Sequence, residues 1–224
     1  MSGTAVLIIG AGPTGLVLAL WLSKLGVSVR IIDKASGPGT TSRALAVQAR
    51  TLELYNQLDL ATTVVERGHQ VPAANLWVKG QQAAHLSLEQ IGSGQTPYPF
   101  IEIFPQDEHE RLLIERLQAF DVQVQWQTEL LELNQGDQQV NARLRLADGS
   151  EQDCSAVYLA GCDGARSAVR KALGIGSPVA PTSRCSSSPT CRHQARQSMA
   201  NCTSTSTRRT FSPCSPSPAA AVYA

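Results

Sequence analysis

The sequence lacks any apolar run of the ~18–20 residues that a membrane-spanning helix needs. It also lacks a basic segment before its first apolar stretch, which is interrupted by Gly10, Gly12, Pro13 and Gly15 and is therefore not typical of a signal peptide. A net charge of only +1 gives no indication of a surface for nucleic acid or an anionic membrane. We therefore expect a cytoplasmic protein with reduced thiols, and neither a nucleic-acid nor a membrane partner.

The C-terminal residues 177–224 lack Asp, Glu, Lys, Leu and Ile entirely, but hold 11 Ser, 6 Thr, 6 Pro, 5 Arg and 4 Cys. Residues 1–176, in contrast, hold 18 acidic and 14 basic residues. The tail composition cannot bury enough apolar surface to fold alone, so we predict that 177–224 is disordered. Its cysteine spacing matches no zinc site.

Two explanations of this tail are open. One is a native disordered tail or linker. The other is a frameshift near Gly176. The codons possible for "MANCTST" and the residues around it can be read from the third base of each codon. The peptide encoded in that frame can contain acids and Leu and can alternate as a strand does. We favour the frameshift, and we expect the chain to be truncated relative to an intact protein.

The most informative segment is "TAVLIIGAGPTGLVLALWLSKLGVSVRIIDK" near the N-terminus. Val6–Ile9 is a continuous apolar run, as in a parallel strand that is buried on both faces. Apolar residues then recur at helical spacing from Thr14 to Leu25, and Gly26 is placed to end that helix. Ser28–Ile32 reads as a second strand. The order strand, glycine turn, helix, strand predicts a βαβ unit.

Gly10, Gly12 and Gly15 form the pattern G-x-G-x-x-G between the first strand and the helix. The first glycine allows the tight turn, the second lets the backbone approach a pyrophosphate, and the third allows close packing of helix on strand. Asp33 follows at the end of the second strand, where its carboxylate can accept hydrogen bonds from a ribose. A glycine turn without a nucleotide is the alternative, and the matched strands and acid disfavour it.

Four motifs resemble one known family. "GAGPTGL", "SRALAVQARTLELY", "IFPQDEHERLL" and "LAGCDGARSAVRKALGI" occur in order over residues 4–176 and are similar to motifs of the aromatic-ring hydroxylases, or group A flavoprotein monooxygenases. The resemblance implies an α/β fold, with a Rossmann-like FAD-binding βαβ domain and part of a β-rich substrate domain. We assign 1–176 to the FAD-binding domain, with a partial substrate-domain insertion at about 71–104, and 177–224 to the disordered tail.

Local patterns complete the expected fold. A helix is predicted from Arg43 to Leu58 and another from Gln106 to Phe120, while "ANLWVKGQQAAHLSL" alternates as a hairpin. A second hairpin is predicted around Asp148-Gly149, because Asp-Gly is a favoured turn dipeptide. "AVYLAG" then reads as a separate buried strand, followed by a turn and a basic helix.

The resemblance also implies a set of cofactor-binding residues. Arg43 would contact the pyrophosphate region, Gln106 would lie near the flavin and its ribityl chain, and the Asp163-Gly164 motif would serve both FAD and NAD(P)H. Guanidinium groups suit phosphate because they bind it through two hydrogen bonds. The complete set is Gly10, Ala11, Gly12, Pro13, Thr14, Gly15, Asp33, Lys34, Arg43, Gln106, Asp163, Gly164 and Arg166.

Simpler roles for two of these residues stay open. Arg43 would be a solvated residue in the first turn of its helix, and Asp163 would be the N-cap of a helix that begins at Ala165. The N-cap role is compatible with cofactor binding. Cys154 and Cys162 are interpreted as buried small residues, and the four histidines show no metal-binding spacing.

The family chemistry implies that NAD(P)H reduces FAD, that reduced flavin adds O₂ to give a C4a-hydroperoxide, and that this species hydroxylates a small aromatic substrate. The cofactor carries these steps, so no catalytic acid or base is expected, and none stands out. A further FAD-binding signature of the family, a Gly-Asp-Ala-Ala-His-like stretch, is absent from the sequence. The alternative function is therefore a non-catalytic fragment. The motifs "SRALAVQARTLELY" and "LAGCDGARSAVRKALGI" disfavour an NAD-dependent dehydrogenase.

Overall fold

The computed structural model describes residues 4–40, 46–88, 92–176 and 202–205, which belong to two units. The first unit contains residues 4–40 and 105–176, and the second contains 46–88, 92–104 and 202–205. The strands are β1 Thr4–Ile9, β2 Val29–Ile32, β3 Ala46–Val47, β4 His69–Val71, β5 Ala73–Val78, β6 Gln81–Ser87, β7 Ile101–Ile103, β8 Val124–Gln125, β9 Glu129–Gln135, β10 Val140–Arg145, β11 Glu151–Gly161 and β12 Cys202–Thr205. The α-helices are α1 Pro13–Lys24, α2 Ala49–Asn56, α3 Ala61–Arg67, α4 Gln106–Gln118 and α5 Ala168–Ala172.

The first unit is built on a six-stranded sheet with the order β8-β2-β1-β11-β10-β9. β1 is parallel to both β2 and β11, and β2 is parallel to β8, whereas β9 and β10 add an antiparallel edge. Leu7 and Ile9 of β1 lie in a buried cluster with Leu144 of β10 and Val169 of α5. This arrangement confirms the predicted α/β class and the predicted βαβ unit.

β11 differs from its prediction, because the second hairpin strand and the "AVYLAG" strand are one continuous element of 11 residues. Its first half pairs antiparallel with β10, and its second half pairs parallel with β1. The predicted turn is present, since Gly149 has φ +83 and the Leu146 N–H donates to the Ser150 carbonyl. Nothing in the alternation of the sequence marks the point where the strand changes partners.

Two predicted helix starts were wrong. The helix predicted from Arg43 begins at Ala49, because Ala46–Val47 instead pairs with β7 as a short strand. The helix predicted from Ala165 begins at Ala168, where the Ser167 side chain accepts from the Arg170 N–H and forms the cap. Gly164–Arg166 forms only a 3₁₀ turn before it.

The second unit contains two three-stranded sheets, β3-β7-β4 and β12-β5-β6, together with α2 and α3. β5 and β6 form the predicted hairpin. Leu52 and Tyr55 on α2 and Val64 on α3 are buried and supply its apolar core.

The predicted disordered tail lies mostly outside the described residues. Within it, only Cys202–Thr205 are described, and their backbone pairs parallel with β5. The frameshift hypothesis therefore stays a prediction. Among the described residues, no α-helix combines the length and the hydropathy that a membrane span requires.

Candidate functional site

A cavity of about 620 Å³ opens in the first unit at the carboxyl ends of β1, β2 and β11. In open α/β sheets, this edge is where ligands bind when neighbouring crossovers leave in opposite directions. The volume lies within the ~300–1,000 Å³ usual for ligand sites. Nine of the predicted site residues line it: Gly10, Ala11, Gly12, Asp33, Lys34, Gln106, Asp163, Gly164 and Arg166.

The glycine turn forms one wall of the cavity. Gly10 has φ +106, and a side chain there would collide with the Cys162 carbonyl. Gly15 lies behind the turn in α1, where a side chain would collide with the Gly10 carbonyl oxygen. Gly12, in contrast, has no atom of the described residues, apart from its chain neighbours, within 4 Å of the position that a methyl group would occupy. Two of the three glycines therefore serve packing, and Gly12 faces open space.

Pro13, Thr14 and Gly15 are not among the residues that line the cavity. They form the first turn of α1, whose N-cap residue Gly12 supplies no side-chain hydrogen bond. The first turn also holds no acidic residue. A helix N-terminus without a capping side chain or acid favours an anionic ligand, because its amide groups carry the positive end of the helix dipole.

Asp33 ties the glycine turn to the end of β2. Its Oδ2 accepts from the Ala11 N–H at 2.7 Å, and its Oδ1 accepts from the Ala35 N–H at 2.8 Å. A carboxylate has about four acceptor positions, so two hydrogen bonds leave capacity for a ligand hydroxyl. The structure thus gives Asp33 an organising role that the sequence did not indicate, while the predicted ribose contact stays a prediction.

Asp163 follows the end of β11, beside the glycine turn. Its Oδ2 accepts from the Ala168 N–H at 2.5 Å and the Val169 N–H at 3.3 Å. Asp163 therefore binds the first amide groups of α5, although the N-cap residue of this helix is Ser167. Its Oδ1 is buried and has no hydrogen-bond partner within the described residues. Buried acceptors are nearly always satisfied, so an unpaired oxygen beside a cavity indicates a missing donor.

Several cavity residues were not found from the sequence. They are Ile9 at the end of β1, Ala35 to Thr40 after β2, Glu110 on α4, Trp126 and Thr128 between β8 and β9, Glu129 and Leu130 on β9, Cys162 after β11 and Ala168 on α5. Only Glu110 had a usable signal, since Gln106 and Glu110 are four residues apart and such residues share one face of a helix. Arg43 lies outside the described residues, and its role stays a prediction.

The pKa shifts of two other titratable groups near the site favour their neutral forms. Burial, and next the charge of Asp163, raise the pKa of the Cys162 thiol, which disfavours the thiolate form needed by a nucleophile. Burial lowers the pKa of His109, and the negative charge of Glu110 opposes that effect. No group of three His, Cys, Asp or Glu side chains in the described part of the chain is placed to hold a metal ion.

A family model described as "FAD binding domain" matches residues 3–206. The chain is 43% identical over 173 residues to 6-methylpretetramide 4-monooxygenase of Streptomyces rimosus, a match that covers 77% of this chain and 31% of the relative. It is 39% identical over 172 residues to pentachlorophenol 4-monooxygenase of Sphingobium chlorophenolicum, covering 76% of this chain and 32% of the relative. The chain thus spans about a third of the length of these relatives.

A solved structure of a flavin-dependent monooxygenase is also similar to this chain. The flavin-dependent monooxygenase PieE in complex with FAD and substrate is similar with a TM-score of 0.72 and 29% sequence identity. The similarity covers 78% of this chain and 32% of PieE.

Proposed function

The chain belongs to the FAD binding domain family, and from this premise we propose that its first unit binds FAD as part of a monooxygenase that hydroxylates an aromatic substrate. The observation that carries the proposal is the cavity at the glycine turn, which collects nine of the thirteen residues expected from the sequence. The names of the relatives support an aromatic substrate and O₂.

The residues present fit an FAD molecule. Gly12 leaves open space for a bulky group beside the uncapped start of α1, as a pyrophosphate requires. Asp33 retains acceptor capacity at the end of β2, where it suits a ribose hydroxyl. The unpaired Asp163 Oδ1 needs a donor, and the hydroxyl groups of the cofactor are donors.

In this proposal, Gly12 and the start of α1 hold the pyrophosphate and Asp33 holds the ribose. Gln106 and Asp163 lie at the flavin and ribityl side, and Arg166 adds a positive charge. When bound, FAD supplies the redox chemistry, because flavin reduced by NAD(P)H activates O₂ for transfer to an aromatic ring. The protein's own residues bind and orient the cofactor.

The first test is FAD retention by the purified 224-residue chain. We expect the visible absorption bands of flavin to stay with the protein after incubation with FAD and desalting. NADH or NADPH oxidation is then measured with and without phenolic compounds. Flavin retention without oxidation of either nucleotide would favour the alternative, a flavin-binding chain without turnover. A soluble folded chain that retains no flavin would contradict the proposal.

Asp33→Ala should weaken FAD binding by about tenfold or more. The substitution removes the acceptor proposed for the ribose hydroxyl, and a hydrogen bond to a charged group contributes about 1.5–3 kcal/mol, where 1.4 kcal/mol is tenfold in Kd. It also removes the acceptor of the Ala11 and Ala35 N–H groups, which position the glycine turn. Titration of flavin fluorescence measures the change. Asp137→Ala in the exposed β9–β10 turn is the matched control, and equal affinities for both variants would refute a role for Asp33.

A further inference from the structure

Glu110 is a buried carboxylate that lines the cavity on α4. It lies in the second turn of α4, one helical turn after Gln106, and is only 5% exposed. Buried carboxylates are normally paired with a cation or fully hydrogen-bonded. Within the described residues Glu110 makes no ion pair, so its hydrogen bonds must account for its position.

Both oxygens of Glu110 accept a hydrogen bond from a residue that lines the cavity. Oε2 accepts from the Gly39 N–H at 2.8 Å, and Oε1 accepts from the Gln106 Nε2 at 2.7 Å. Glu110 therefore links the loop after β2 to the start of α4. These two segments are 71 and 4 residues away from it in the sequence.

The loop of residues 36–40 depends on this contact. Among the described hydrogen bonds, the Gly39 N–H to Glu110 is the only one made by residues 36–40. The approach is close, since a methyl group on Gly39 would lie 3.2 Å from Oε2. Glycine at this position thus allows the carboxylate to reach the backbone.

The second contact fixes the orientation of an amide. A carboxylate only accepts hydrogen bonds, so the Gln106 side chain must turn its NH₂ group toward Glu110. The carbonyl oxygen of the same amide must then point to the other side. Glu110 consequently determines which atom Gln106 presents on each side of its amide plane.

We propose that Glu110 is a positioning residue of the FAD site, which holds loop 36–40 through the Gly39 N–H and fixes the amide orientation of Gln106. The inference rests on the proposed function, because the site it organises is the one assigned to FAD. It predicts different results for two substitutions. Ala removes both contacts, whereas Gln keeps an acceptor for Gly39 and replaces the acceptor for Gln106 with a donor NH₂ group.

The first measurement needs no cofactor. Amide hydrogen exchange of the ligand-free chain should show the Gly39 N–H exchanging about tenfold faster or more in Glu110→Ala, with the β1 amides unchanged. Glu110→Gln should keep Gly39 protected but shift the side-chain NH₂ signal of Gln106 in a nitrogen–proton spectrum. Glu115→Ala, an exposed glutamate on the same helix, is the control and should change neither. An unchanged Gly39 rate, or a parallel rise at all amides, would overturn the proposal.

The second measurement is the Kd for FAD by fluorescence titration. We expect an increase of about tenfold or more for Glu110→Ala, a smaller increase for Glu110→Gln, and less than about twofold for Glu115→Ala. Faster exchange at Gly39 with unchanged FAD affinity would overturn the role in the site. If the wild-type chain retains no FAD, the proposed function fails, and the exchange rates still decide whether Glu110 holds the loop. If Glu110→Ala does not fold, the Gln106 signal and the FAD affinity of Glu110→Gln decide the question.

Discussion

Gly15→Ala should lower the free energy of unfolding of the first unit by about 4 kcal/mol or more. Single substitutions reach this size only through severe defects such as overpacking of the core. The methyl group would collide with the Gly10 carbonyl oxygen and lie 3.3 Å from the Cys162 Cβ. Gly10 cannot move away easily, because its own Cα faces the Cys162 backbone and its N–H donates to the Ile32 carbonyl. The substitution therefore separates α1 from β1 at the centre of the sheet.

Gly12→Ala is the matched substitution in the same turn. Gly12 has φ −73 and ψ 179, which alanine adopts readily, and within the described part of the chain only its sequence neighbours lie within 4 Å of the new methyl group. The fold should keep its stability. FAD affinity should fall by about tenfold or more, because the methyl group occupies space assigned to the pyrophosphate. Each 1.4 kcal/mol of binding free energy lost in this way raises the Kd tenfold.

Urea denaturation followed by circular dichroism measures the first effect, and FAD titration measures the second. The expected pattern is a large loss of stability for Gly15→Ala alone and a loss of affinity without a loss of stability for Gly12→Ala. Equal destabilisation by both substitutions would contradict the close packing described for Gly15. Wild-type FAD affinity in Gly12→Ala would contradict the pyrophosphate position.

The βαβ unit could be predicted because its determinants are local. The glycine spacing, the apolar run of β1 and the acid after β2 all lie within residues 4–33. One short stretch of sequence therefore contains the whole pattern that predicts the unit. The hairpins were predictable for the same reason, since Asp148-Gly149 specifies its turn whatever packs around it.

The rest of the site depends on contacts between distant segments. The Gly39–Glu110 hydrogen bond joins residues that are 71 positions apart in the sequence, and no local sequence pattern predicts it. β11 could not be recognised as one strand, because its change from antiparallel to parallel pairing is decided by β10 and β1. The short β3 strand likewise replaced a predicted helical turn because β7 was available as a partner.

The second large effect concerns Glu102, the central residue of β7 in the second unit. Its side chain is fully buried, and neither carboxylate oxygen has a hydrogen-bond partner within the described residues. Oε1 lies against Gly68, and cross-strand neighbours are Val47 and Gln70. Desolvation raises the pKa of this carboxyl from 4.5 to about 7.

The sign of the pH dependence follows from proton binding. Between pH 4.5 and about 7, the folded chain holds a proton on Glu102 that the unfolded chain has released, so the free energy of unfolding falls as pH rises through this window. The fall levels off above about pH 7, where both forms are ionised. We expect a loss of about 1–3 kcal/mol in total, because one pKa unit corresponds to about 1.4 kcal/mol.

Glu102→Gln removes the titration while keeping the shape of the side chain. Urea denaturation at several pH values should show the variant more stable than wild type at pH 8 by about 1–3 kcal/mol, and similar to it at pH 5. Glu66→Gln, an exposed glutamate on α3, should follow the wild-type curve throughout. If wild type and Glu102→Gln instead ran parallel from pH 5 to 8, the ionised carboxylate would have to gain a compensating partner. The buried environment of Glu102 would then not govern the pH dependence of stability in this unit.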